Sequence, residues 1–353
     1  MLKPKKGSEG MELTPRKQAV LKAVIKAYIE NGEPIGSKNL VALLENAPSS
    51  ATLRNEMSEL CELGLLHQPH TSAGRVPTSR GYSLYVNSLM NKAEIPESEK
   101  KAIDEALESL NCEPEGIPNT VAQLLSKLTG LPAIACLITE RQPKIKRIEL
   151  LPIGRSSVML LVITDDGRTR NRIFRHGGFT DESKNCFEEL IEKRIKGKTI
   201  AELNKAYFQS IIAECGIYIL ELMPLLTAVF ETVSEIENTD VTLRGENALY
   251  NICGDENTAR RITSLIKRRD PIISILEGIG DNVGAVFGAD TVYSELAGET
   301  VIAAKFSGSD KYKGYVGVIG PNRMSYEQIM PCVHYISKRM TEIMTEAQKD
   351  MED

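Results

Sequence analysis

The amino-acid sequence predicts an α+β fold: a helical N-terminal module closed by a short hairpin, then a sheet domain whose strands fall into two groups around a mostly helical insertion. Three patterns carry this expectation. Helical spacing of apolar residues recurs three times between residues 15 and 64, with turn residues separating the runs. Short apolar or alternating runs cluster at 133–174 and again at 283–319. From 181 to 268 the spacing is helical.

In the N-terminal module, Thr14 followed by Pro15 is an N-cap with proline at the first helical position. Ala19, Val20, Ala23, Val24, Ala27 and Tyr28 follow at helical spacing, and Asn31-Gly32 stops the helix. Ser37 is expected to cap a second short helix whose apolar face holds Leu40, Val41 and Leu44. Pro48-Ser49-Ser50 opens a third, with Leu53, Met57 and Leu60 on one face and Gly64 at its end. Leu65-Leu66 begins an extended run, followed by a polar loop to Pro77 punctuated by Pro69 and Gly74. Thr78 starts another helix, with Tyr82, Tyr85, Val86 and Leu89 apolar.

Helix, helix, turn, helix and a two-stranded wing make a winged helix-turn-helix over residues 1–90. In that motif the third helix enters the major groove of double-stranded DNA, which is about 12 Å wide and admits one helix. Its N-terminal residues meet the bases; here they are Ser49, Ser50, Thr52, Arg54 and Asn55. Arg forks onto guanine and Asn onto adenine, while hydroxyls and the free amides of a helix start hold phosphates. The wing residues His70, Thr71, Ser72 and Arg75 reach toward the adjacent backbone or minor groove. Plainer roles stand beside these. Ser49 and Ser50 cap a helix whatever it does, Arg54 has Glu56 and Glu59 within reach, and a winged helix also serves protein contacts.

Charge supports the DNA reading. The chain of 353 residues has a formal net charge of -5. Residues 1–90, however, hold 11 Lys/Arg against 8 Asp/Glu, and the remaining 263 residues hold 32 against 40. The basic excess is confined to the module that would meet an anion.

Along the body, 91–96 reads as a linker and about 97–110 as a helix. Thr120–Thr129 is a helix stopped by Gly130. Ala133–Ile138, Lys146–Leu151, Val158–Thr164 and Thr169–Phe174 read as one antiparallel sheet, with a hairpin signal at Asp165-Asp166-Gly167. Phe187, Leu190, Ile191 and Ile195 share a helical stripe. Helix then runs from Ile200 to Ile236, broken near Gly216 or Pro224, and again over 256–268. Strands return at Val283–Phe287, Thr291–Leu296, Thr300–Phe306 and Tyr315–Ile319, before a final helix from Tyr326 to Gln348.

Other functions lack their residues. The seven cysteines form no CxxC pair and the count is odd, which predicts buried reduced thiols rather than a disulfide framework or zinc site. Four histidines show no ligand spacing, so no metal or cofactor is expected. There is no GxSxG elbow or GxxxxGK[ST] loop, and Gly278–Gly284 reads as a turn rather than a phosphate cradle. The start MLKPKKGSEG is not a secretory signal, and no apolar run suits a bilayer. A cytoplasmic, non-enzymatic protein with no membrane partner is expected.

Three stretches resemble one family. They are Ser50-Ala51-Thr52-Leu53-Arg54-Asn55-Glu56-Met57, then Pro69-His70-Thr71-Ser72-Ala73-Gly74-Arg75-Val76-Pro77-Thr78 with Gly81-Tyr82, and Gly317-Val318-Ile319-Gly320-Pro321-Asn322-Arg323-Met324-Ser325-Tyr326. In this order they are similar to the HrcA family of heat-inducible bacterial repressors. The resemblance implies repression of the DnaK and GroE chaperone operons through an inverted-repeat operator, CIRCE, bound by a homodimer. It also implies release on heat stress and modulation by the GroE chaperonin. In architecture it implies a winged helix over 1–90, a GAF-like domain over 91–176 and 276–353, and an inserted dimerisation domain over 177–275. The family's Ile-Gly-x-Glu-Asn stretch reads Val286-Phe287-Gly288-Ala289-Asp290-Thr291 here, and Arg244-Gly245-Glu246-Asn247 also departs from its pattern. Two alternatives stay open: a metabolite-responsive regulator that senses through the sheet domain, and an enzyme whose winged helix only mediates assembly.

Overall fold

The computed structural model describes residues 13–352, apart from 46, 72, 92, 109–115, 140–141, 155–156, 166, 176–179, 237–238, 281 and 310–311. The chain divides into two compact units, Met1–Leu137 with Val241–Asp353, and Ile138–Asp240.

The first unit opens with α1 (Pro15–Asn31), α2 (Ser37–Val41) and α3 (Ser50–Glu62). Thr14 accepts from the Lys17 amide at the start of α1, and Gly32 ends it in the left-handed region at φ 75. The stripe that α1 buries is Val20, Leu21, Val24, Ile25 and Ala27; Ala19, expected on that face, is exposed. Gly36, not Ser37, precedes α2, and no side chain caps it. Strands β1 (Leu66–His67) and β2 (Val76–Pro77) pair antiparallel as the wing. Then α4 (Ser79–Leu84) is capped by Thr78 and runs on into a wider π-type turn at Tyr85–Leu89.

After the linker come α5 (Glu97–Glu108), α6 (Ile117–Thr129) and β3 (Ala133–Thr139). The chain then forms the second unit: β4 (Ile145–Pro152), β5 (Ser157–Thr164), β6 (Thr169–Arg175), α7 (Asp181–Leu190), α8 (Lys205–Glu214) and α9 (Ile219–Ser234). These three strands make their own antiparallel sheet, β4-β5-β6. The inner residues Leu160 and Val162 pack with Phe187, Ile191, Ile195, Phe208, Leu222, Leu226 and Val229 into a core of this unit alone. The stripe expected at Phe187, Leu190, Ile191 and Ile195 is buried, and the helix break falls at Gly216. Gly216–Ser234 is long and apolar enough to cross a membrane by length and composition. Its Leu222, Leu225, Leu226, Val229 and Val233 are instead buried in this core.

The chain returns through β7 (Thr239–Arg244), α10 (Glu246–Cys253), α11 (Glu256–Lys267), α12 (Asp270–Glu277), β8 (Gly284–Phe287), β9 (Glu299–Ser309), β10 (Tyr312–Pro321) and α13 (Tyr326–Glu352). The first unit's sheet is ordered β7-β3-β10-β9-β8. Two expectations are corrected here. The strands expected to form one sheet with β3 do not: β3 joins the sequence-distant β7 and β10, because its Ala133, Ala135 and Leu137 are buried in the first unit's core. Thr291–Leu296 is not a strand. The Thr291 hydroxyl donates to the Gly288 carbonyl at 2.8 Å and accepts from the Tyr293 amide, which closes short turns instead. Among the described cysteines none is bonded, and Cys136, Cys215 and Cys332 are buried. Burial pushes the Cys136 thiol up to about 12 and Cys332 to about 11, so both stay protonated and inert near neutrality.

Candidate nucleic-acid interface

Helix α3 is fixed from beneath. Leu53, Met57 and Leu60 are buried at i, i+4 and i+7. The opposite face therefore carries Ala51, Arg54 and Asn55, all exposed. Ser49 caps the helix by accepting from the Thr52 amide at 3.2 Å, and its hydroxyl lies 3.0 Å from that of Thr52. Ser50 turns inward, its hydroxyl 2.9 Å from Ser37 on α2. It thus joins the two helices of the motif, and Ser37 acts there rather than as a cap.

The carboxylates within reach of Arg54 are engaged elsewhere. Glu56 faces Arg16 at 3.8 Å and Glu59 holds Lys17 at 2.7 Å. The hydrogen bond from Lys17 to Glu59 raises the lysine pKa. Among the described residues neither Arg54 nor Asn55 has a side-chain partner, which leaves one forked donor and one amide pointing outward at the start of the helix. That is the chemistry of direct base readout.

The two-stranded wing is tied to the loop before α2 by one further bridge. Leu66 pairs with Pro77 and His67 with Val76, and Ile35 forms an isolated bridge to Arg75. The Ile35 and Arg75 amides each donate to the other's carbonyl, at 2.9 and 2.8 Å. This approach requires Gly74, where a Cβ would lie 2.4 Å from the Ile35 carbonyl carbon. Gln68 pins the loop by donating to the carbonyls of Thr71 at 2.8 Å and Ala73 at 3.0 Å. His70 and Thr71 are exposed at the tip. Arg75 is half-buried, and its Nε is buried without a hydrogen-bond partner among the described residues. Ser72 lies outside the described residues.

Two residues of this surface escaped the sequence reading. Lys38 is exposed on α2, the helix that crosses the DNA backbone in this motif. A cation at the start of a short second helix was the available signal. Gln68 looked like one more polar loop residue, because a side chain that organises backbone carbonyls leaves no spacing pattern. No cluster of His, Cys, Asp or Glu able to hold a metal occurs among the described residues.

One solved chain, a hypothetical protein known from its crystal structure, superposes with a TM-score of 0.55 at 23% identity, covering 95% of this chain and 99% of its own. At that identity it speaks for the fold alone. A heat-inducible transcription repressor HrcA of Clostridioides difficile is 33% identical over 338 residues, covering 93% of this chain and 98% of the relative. A repressor of the same name from Acetivibrio thermocellus is 29% identical over 94% and 96%. The family profile for the HrcA winged helix-turn-helix DNA-binding region matches residues 12–90, and that for the HrcA C-terminal domain matches 115–330. With the head, the body and nearly the full length of these relatives matched in order, the chain belongs to the HrcA family of heat-inducible transcription repressors.

Proposed function

We propose that this chain represses heat-shock chaperone operons of the GroE and DnaK classes in the cytoplasm, binding the CIRCE inverted repeat as a homodimer and leaving it on heat stress. The GroE chaperonin modulates its activity. The observation that carries the DNA part is the outward face of α3, where Arg54 and Asn55 are exposed while neighbouring carboxylates are tied to Arg16 and Lys17. In this reading Arg54 and Asn55 read bases, and Ser49, Thr52 and the α3 amides hold phosphate. His70, Thr71, Ser72 and Arg75 contact the adjacent backbone or minor groove. Ser50 contributes by holding α3 on α2.

An inverted repeat calls for a two-fold dimer. The compact unit 138–240 supports the dimerising role, although it starts before the 177 and ends before the 275 expected for that domain. The outer face of its sheet presents Leu151 beside Met159 and Ile173 across the paired strands, and Ile173 is 62% exposed. Apolar residues in such a row suit a self-complementary contact. The five-stranded sheet flanked by α5, α6 and α13 supports the GAF-like assignment.

A gel-shift competition tests the DNA part. Arg54→Ala or Asn55→Ala is expected to weaken operator binding by about 1–3 kcal/mol each, with little change on random DNA. Equal loss on both DNAs would remove direct readout by these residues.

A second reading, a metabolite-responsive regulator, is favoured by one feature. A cavity of about 560 Å³ in the first unit is lined by Ile95, Leu128, Leu131, Met324, Ile329 and Cys332, among others. A small molecule co-purifying with the protein and shifting operator affinity would favour it.

A further inference from the structure

The third sequence stretch, Gly317–Tyr326, lies outside the winged helix. It forms the end of β10, a turn and the start of α13. Contacts from this turn reach the winged helix at four places. Glu327 accepts from Lys26 of α1 at 3.0 Å, from the Tyr85 hydroxyl at 3.0 Å, and from the Asn91 amide at 3.4 Å. Asn322 donates to Ser79 at the start of α4 at 3.4 Å, while its own oxygen accepts from Thr300 of β9 at 2.7 Å. Tyr82 of α4 packs against Phe287 and Tyr326, with ring centroids 6.4 and 5.8 Å apart. The guanidinium of Arg323 lies over the C-terminal cap of α1, so close that a Cβ on Gly32 would sit 1.7 Å from it.

We propose that the Pro321–Glu327 turn is a docking surface for the chain's own winged helix, a latch that fixes the DNA-binding module on the sheet domain with Glu327 as its polar anchor. The chemistry of each contact suits that role. Burial works against the Glu327 carboxylate, but the bonds from Lys26 and Tyr85, the Lys26 charge and the Asn91 amide outweigh it and hold its pKa below the usual range. One acceptor thereby gathers donors from α1, the turn after α4 and the linker, three segments that must all keep their places. Arg323 puts a cation at the negative end of the α1 dipole. The aromatic contact is part of one continuous apolar core that runs from Val24 and Leu60 of the head to Val318 and Val333 of the body. Helix α3 takes part in none of these polar contacts among the described residues, so the latch holds the module from the side away from its DNA-reading face. A head held this way has a fixed orientation, and in a dimer the spacing of half-sites is then set by the body rather than by the reach of a flexible linker.

The test uses the full chain and two variants, Glu327→Ala and Lys26→Met. Hydrogen exchange at residues 79–91 and 322–330 is expected to quicken about tenfold or more in Glu327→Ala and less in Lys26→Met, with α3 unchanged. Should Glu327→Ala loosen the whole chain, α3 included, Lys26→Met carries the comparison. Unchanged exchange at 79–91 in both variants overturns the latch. The second arm rests on the operator reading: an inverted repeat with its half-sites moved apart by about two base pairs. Wild type is expected to lose about a hundredfold in affinity and Lys26→Met about tenfold or less, since a loosened head can follow the displaced site. Equal loss in both overturns the proposal. If wild type binds no inverted repeat at all, the operator reading fails, and hydrogen exchange alone decides the latch.

Discussion

Tyr82 and Tyr85 lie one helical turn apart and are both buried, yet their hydroxyls meet opposite conditions. Tyr85 donates to Glu327 at 3.0 Å. The Tyr82 hydroxyl is buried without a hydrogen-bond partner among the described residues. Burial raises both pKa values far above the usual tyrosine range, so each is a neutral donor under all ordinary conditions. A satisfied donor to a charged group stabilises, whereas a buried unsatisfied one carries only its desolvation cost. Tyr85→Phe is therefore expected to lower stability by about 1.5–3 kcal/mol, and Tyr82→Phe to leave it unchanged or raise it. Urea unfolding of the two variants side by side checks this; a larger loss from Tyr82→Phe would mean its hydroxyl has a partner after all. Neither difference is legible in the sequence, where both tyrosines are apolar positions on one helix.

At the scale of elements, the wing depends on one glycine. Arg75, just before β2, closes on Ile35 with both backbone bonds made, which leaves no room for a Cβ at residue 74. Gly74→Val is expected to open this bridge and loosen the wing, while α1 and α3 stay folded on the rest of the core they share with Ile35 and Leu66. Loss of amide protection at Ile35 and Arg75 with unchanged helical circular dichroism would show it; protection retained at both amides would rule it out. Most of the N-terminal module was legible because its boundaries have local causes: Thr14, Ser49 and Thr78 cap as their sequence context predicts, whereas the cap expected from Ser37 is absent. The same holds for α3, where a buried stripe of Leu53, Met57 and Leu60 dictates that Arg54 and Asn55 face out. What failed was non-local. Strand β3 has the pattern of its sequence neighbours but pairs with β7 and β10, about a hundred residues or more away, and periodicity does not encode partners. Residues 291–296 look like a strand until Thr291 spends its hydroxyl on the Gly288 carbonyl. The role of Glu327 was equally hidden, since its three donors come from segments more than 230 residues away.

For the whole molecule, the separation of two cores has a consequence for how the repressor works. One apolar cluster joins the winged helix to the five-stranded sheet and α13, while another is built only from residues 145–236. The segment that forms the second cluster leaves from β3 and returns at β7, which are neighbours in the first unit's sheet. Replacing residues 140–238 by a short Gly/Ser linker should then leave the first unit's core whole. If the unit 138–240 supplies the dimer contact, the shortened chain is expected to be a folded monomer. Its head would still carry Arg54 and Asn55, so on the proposed operator reading contact with a single half-site survives. The second half-site loses the effective concentration that a dimer gives it, and affinity for the inverted repeat should fall by about 10²–10⁴-fold. The electrostatic component should change in step: with fewer phosphates neutralised per bound molecule, the dependence of affinity on salt becomes shallower. Sedimentation and gel shifts at two salt concentrations measure all three quantities. A shortened chain that remains dimeric would place the contact in the first unit, and one that no longer folds would show that the two cores are not independent.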